Sequence, residues 1–207
     1  MYYQNSTLRK LCVRMKRIIL GFTLFMLGMS ANAGQEMHGI KLPEGYKKQY
    51  IDPLKKQAYF IDEDLVKGKP SIIFSFVPDT TKDDIWLTTC QHTFDKGLQI
   101  FTCFTQQGQF GIGSSADGHD IVFRFEKPKE IAVTKINYKF DNQKIMTLSV
   151  SAIPHGVAAE TFIRKLKEAS VLSFSWKDGS QYEAEKINLN GLVESLLFAK
   201  KMIELNN

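Results

Sequence analysis

The chain has little from which to build a reactive centre. Its four histidines, His38, His92, His119 and His155, are isolated from one another. None belongs to H-x-H or H-E-x-x-H, so a zinc site would need ligands from distant segments, and neither a metal nor a cofactor is expected. Gly108, Gly111, Gly113 and Gly118 are spaced too irregularly to cradle phosphate, and no G-x-x-x-x-G-K-[ST] occurs. Ser114 and Ser115 precede a hairpin-turn signal, whereas a nucleophile elbow needs G-x-S-x-G between a strand and a helix. Asp117 and Asp120 lack the EF-hand pattern. The enzymatic option left is a hydrolase of dispersed residues, Ser115, His119 and Asp120 on the glycine-rich loop. There are only three cysteines, and Cys90 and Cys103 are too far apart for a C-x-x-C exchange pair, which favours a structural role. No internal repeat or long low-complexity tract is present.

What is present begins with a leader. Met15-Lys16-Arg17 precedes the apolar run IILGFTLFMLGMS and then Ala31-Asn32-Ala33 before Gly34. A basic n-region, an h-region of about 7 to 15 residues and an A-x-A site predict a secretory signal peptide over 15–33. Residues 1–14 then read as an upstream start-site extension, which carries Cys12 away. The run is shorter than the roughly 18 apolar residues of a membrane span, so no permanent span is expected after cleavage. No cysteine follows the cleavage site to take a lipid.

Cleavage would change the charge. Residues 1–33 hold Arg9, Lys10, Arg14, Lys16 and Arg17 and no acid, so Lys plus Arg falls from 27 to 22, equal to the 22 Asp plus Glu. A formally neutral mature chain gives no general attraction to nucleic acid. The remaining length suits one domain with a real core.

Within that domain, 34–70 reads as a solvated polar lead-in, punctuated by Pro43, Gly45, Pro53, Gly68 and Pro70, with a short helix near Pro53 to Tyr59. A single β-rich domain is then predicted over 71–207. SIIFSFV, between Pro70 and Pro78, reads as a buried strand. Alternation continues through IVFRFE after the turn Asp117-Gly118, through Ile131 to Phe140, and through Lys144 to Ala152 with Met146, Leu148 and Val150 inward. After Pro154-His155-Gly156 the period lengthens to 3.6: Ala159, Phe162, Ile163 and Leu166 share one helical face over 157–169. A hairpin, SVLSFSW-KDG-Gln181 to Leu189, leads to a last helix with Asn190 as N-cap and a stripe of Leu192, Val193, Leu196, Leu197 and Ile203. The expected fold is α+β and mostly β, an antiparallel meander or sandwich with two amphipathic helices, the last at the C-terminus.

The central hairpin is Ile85 to Gln107, two runs rich in Thr, Ile and Phe around Asp95-Lys96-Gly97. A two-residue turn at Lys96-Gly97 places Cys90 opposite Cys103, which permits a cross-strand disulfide in an oxidising compartment. Trp86, Cys90, His92 and Phe94 then share a face with Gln99, Phe101, Cys103 and Thr105. Ile85, Leu87, Ile100 and Phe104 share the other. A solvated sheet face normally carries polar groups there, so this one is either covered from within or a contact surface.

The C-terminal third, FIRKLKEASVLSFSW, KDG and YEAEKINLNGLVESLLF, resembles the ending of bacterial periplasmic families, the invasion-associated locus B family and type VI secretion-associated envelope proteins. An amphipathic helix, a hairpin and an F-x-L-x-G-hydrophobic lead into a final helix recur there. Here the lead reads Ile187-Asn188-Leu189-Asn190-Gly191-Leu192, with Ile187 in place of Phe. The resemblance spans Tyr138 to Phe198 and carries no catalytic residue. It implies a small exported β-rich domain acting by contact, with an envelope protein or a second copy as partner.

Overall fold

The computed structural model describes residues 36–207 except 81, 83, 96, 126–132 and 179–180. Residues 1–33, where the start extension and leader are expected, lie outside the described residues. Among those described, no helix is long and apolar enough to cross a membrane.

The molecule is mostly β. Two short strands, β1 (Glu36–Met37) and β2 (Ile40–Lys41), pair with each other. Seven strands follow as an antiparallel meander in sequence order: β3 (Gln49–Asp52), β4 (Gln57–Val66), β5 (Lys69–Val77), β6 (Trp86–Asp95), β7 (Leu98–Gln107), β8 (Phe110–Ser115) and β9 (Gly118–Phe123). A second sheet has the order β11-β10-β12-β13, from β10 (Lys135–Phe140), β11 (Met146–Ser149), β12 (Val171–Asp178) and β13 (Gln181–Asn188). The helices are α1 (Val157–Glu168) and α2 (Leu192–Asn206).

Side-chain alternation decides what faces inward. Ile72, Phe74 and Phe76 of β5 lie opposite Cys90, Thr88 and Trp86 of β6, and all six are buried. Helix α2 crosses this face over β5 to β8. The face of the second sheet made by Ile136, Phe140, Leu172, Phe174, Trp176 and Ile187 is buried too. Phe123 joins the sheets edge-to-face with Phe174, ring centroids 5.1 Å apart, and α1 docks through Phe162 against Tyr138 and Phe140.

Several expectations need correction. The polar lead-in is structural: β3 and β4 belong to the large sheet, and Met37, Ile40 and Leu42 lie in the core. No helix forms near Pro53 to Tyr59. The Asp52 carboxylate instead accepts the N–H groups of Leu54 and Lys55, each at 3.0 Å, and turns the chain back into β4. The glycine-rich stretch is a strand rather than a loop, because Phe110, Ile112 and Ser114 alternate inward and pair on both sides. Val150 leaves the sheet in a 3-10 turn, Val150–Ala152.

Helix α2 starts from Gly191 at φ 88°, not from an Asn190 side-chain cap. Only glycine adopts that conformation readily and also admits the Phe76 ring so close. Its buried stripe is Leu192, Ser195, Leu196, Phe198, Ala199, Met202 and Ile203, leaving Val193 and Leu197 exposed. Its far end is pinned by Asn206, which accepts from the Lys41 N–H at 2.8 Å and donates to the Lys41 carbonyl at 2.9 Å.

Candidate functional site

The hairpin has the expected register. Cys90 faces Cys103, Asp95 faces Leu98, and the two sulfurs are bonded beneath α2. Both cysteines are buried, so the bond staples the centre of the large sheet.

Ser115, His119 and Asp120 do not converge. In the β8–β9 register Ser114 opposes His119, Ser115 opposes Gly118, and Asp120 opposes Gly113. Asp120 therefore points to the face opposite His119, while the Ser115 hydroxyl accepts the Asp117 N–H at 3.2 Å. His119 instead lies 2.8 Å from Ser114 Oγ through Nδ1 and 3.4 Å from Glu160 Oε1 through Nε2. A hydroxyl, an imidazole and a carboxylate in line suggest a nucleophile relay. Ser114, however, is 4% exposed, in mid-strand opposite Cys103. Its hydroxyl is buried against His119, and the line ties β8 and β9 to α1. Sequence reasoning missed Glu160 because it is distant in the chain and brought close only when α1 docks. Among the described residues no cluster of three or more His, Cys, Asp or Glu side chains could hold a metal.

Ile85, Leu87, Ile100 and Phe104 are each half-buried, neither a bare patch nor a sealed layer. Phe104 shows how part of the cover arises. The missing side chain of Gly111 makes room for its ring, and the Arg124 guanidinium lies 4.5 Å above the ring centroid. Burial pushes the Arg124 pKa below its ordinary value.

Among the described residues, a cleft of about 400 Å³ opens where α2 stops covering the sheet. Helix α2 lies over β5 to β8, so the inward side chains of β3 and β4, Tyr50 and Tyr59, are left beside it. These rings stack with centroids 5.3 Å apart. The segment after β2 places Tyr46 5.7 Å from Tyr59 and 5.1 Å from Phe198 of α2, and Phe198 stacks on Phe74 at 4.2 Å. Phe74 and Phe76 also line the cleft; Glu44, Glu194, Leu197 and Lys201 complete it. Tyr50 is 46% and Leu197 51% exposed, so apolar surface continues outward. Lys201 Nζ stands 5.3 Å over the Tyr46 ring. Burial raises the Tyr46 pKa above the ordinary phenol value, and Tyr59 and Glu194 add to the rise.

The volume and the mixture of rings with a few charges fit an ordinary binding pocket. Sequence reading missed it because Tyr46, Tyr50 and Tyr59 fall in the supposed lead-in. Three tyrosines within fourteen residues of an otherwise polar segment were the available signal. Neither a family model, a curated protein nor a solved structure matches the chain, so the reading of this cleft rests on its own chemistry.

Proposed function

We propose that the protein is an exported, non-enzymatic binding or accessory protein of the bacterial periplasm, which works by holding an envelope protein, or a second copy of itself, at the aromatic cleft. The observation that carries this reading is the cleft itself: tyrosine faces, an exposed leucine and unburied carboxylates held on a disulfide-stapled sheet. Such a surface can bind, and no group on it is placed to attack or to shuttle a proton through a chain of partners. The leader Met15 to Ala33 and the Cys90–Cys103 bond support an oxidising compartment. So does the similarity to the locus B and type VI envelope families. The hydrolase alternative loses its support once Ser115 and Asp120 point away from His119.

The test has two arms. Mass spectrometry of the periplasmic fraction should find a mature chain starting at Gly34, and a leader retained in inner membrane refutes export. A photo-crosslinking residue in place of Leu197 should trap an envelope protein or a second copy, whereas the same residue in place of exposed Leu98, at the β6–β7 turn and not part of the cleft lining, should not. A reproducible hydrolase activity abolished by His119→Ala would overturn the non-enzymatic reading.

A further inference from the structure

The chemistry of the cleft narrows its occupant. We propose that it receives a basic side chain, lysine or arginine, presented by a partner protein on a segment with apolar neighbours; this rests on the reading of the cleft as a contact site.

Tyr46, Tyr50 and Tyr59 form a continuous set of rings, each within 5.7 Å of the next. The negative face of a tyrosine ring attracts a cation, more strongly where water is partly excluded. The chain already uses one ring in this way, since Lys201 Nζ lies over Tyr46. Glu44 and Glu194 stand at the same cleft, and neither forms an ion pair with a described residue. Two carboxylates against one ammonium leave the lining with an excess of negative charge. The Tyr46 hydroxyl registers it: Glu194 helps to make that phenol harder to ionise. An anionic ligand would meet both glutamates and only Lys201 in its favour.

Size and rim agree with a side chain rather than a folded element. A volume of about 400 Å³ takes one or two large side chains. Exposed Leu197 and Tyr50 can cover the aliphatic stem of a lysine or arginine and its apolar neighbours. Lys201 would be the resident cation that the incoming one displaces.

The experiment uses the full chain with its disulfide intact and three blocked pentapeptides, each with two leucines and two valines around a central lysine, norleucine or glutamate. Binding is followed by the amide shifts of Tyr46, Tyr50 and Leu197. The lysine peptide should bind about tenfold more tightly than the norleucine peptide, the scale of a partly desolvated cation on a ring. The glutamate peptide should bind most weakly. Glu44→Gln with Glu194→Gln should erase the preference for lysine over norleucine, and Lys201→Met should strengthen lysine binding. Equal affinity for lysine and norleucine, preference for glutamate, or loss of binding in Lys201→Met would each overturn the proposal. In cells, the segment crosslinked at position 197 should contain a lysine or arginine. A trapped envelope segment without one refutes the basic specificity but leaves the contact reading standing. No trapped protein and no peptide binding would remove both. Phenethylammonium binding where the lysine peptide does not would assign the cleft to a small amine and refute the partner-protein source.

Discussion

Replacing Gly191 by alanine tests how the last helix is seated and therefore how one wall of the cleft is made. Two costs add there. Gly191 has φ +88°, and a left-handed conformation costs an alanine about 1 to 2 kcal/mol. The new methyl carbon would also stand 2.6 Å from Cδ1 and 2.8 Å from Cε1 of Phe76 and 3.3 Å from Cδ1 of Trp86. Both rings are buried, so neither can swing into solvent, and overpacking of this kind costs about 1 to 3 kcal/mol. The expected loss is about 2 to 5 kcal/mol, measured by urea unfolding with Trp86 as a fluorescent reporter, out of the roughly 5 to 15 kcal/mol typical of a domain. Gly97→Ala supplies the control, because φ is +83° there but nothing lies within 4 Å of the added carbon. The difference between the two variants isolates contact with the rings. In a Phe76→Leu background Gly191→Ala should cost less, by the coupling of neighbouring residues. If Gly191→Ala and Gly97→Ala cost the same, the tight seating of α2 on Phe76 is refuted.

Other outcomes follow from single contacts. Serine at both Cys90 and Cys103 should lower stability by about 3 kcal/mol, since the bond closes a loop across a separation of 13 residues, and the native protein should show no alkylatable thiol at either position. Phe198→Ala should cost about 3 to 5 kcal/mol in denaturant unfolding, as a fully buried ring stacked on Phe74 is lost. Ser114→Ala should cost about 1 kcal/mol, the scale of one hydrogen bond; a much larger loss would show that the His119 line carries more than a structural tie. The folded state holds the Tyr46 phenol protonated above its ordinary value of 10.0. Its stabilising contribution is therefore complete below that value and is lost as pH rises through the raised folded pKa. Tyr46→Phe should flatten this alkaline loss in a thermal-melt series, with the remainder falling to Tyr138, which burial raises in the same direction.

Much of the architecture is written locally. Inward and outward residues alternate in β6, β7 and β10, so the pleat alone sorts core from surface there, while β5 is a short apolar run buried on both faces. The short connection from Asp95 to Leu98 through Gly97 is equally local, and it sets the register that places Cys90 against Cys103. The change of period after Gly156 marks α1, whose buried residues are the four expected from sequence, Ala159, Phe162, Ile163 and Leu166. For each of these features a window of ten or fifteen residues contains the whole physical cause.

The edge of the sheet is different. Strands β3 and β4 carry exposed Tyr50, Ile51, Asp62, Glu63 and Asp64, because they lie at the margin with α2 covering their neighbours instead. Without a buried face on both sides their pattern reads as a polar connection. The start of α2 is not local either: a side-chain cap is a local preference, but the approach of Phe76 and Trp86 requires glycine, and that approach is tertiary. Rotation of the helix onto β5 to β8 then selects Phe198, Ala199 and Met202 for the core and turns Val193 and Leu197 outward. The sequence by itself determined the strand and helix classes and the cysteine register, since each depends on neighbours along the chain. Only the tertiary structure decided the cleft, because its rings come from 46–76 and its helical wall from 194–201, segments that meet only when α2 docks across the finished sheet.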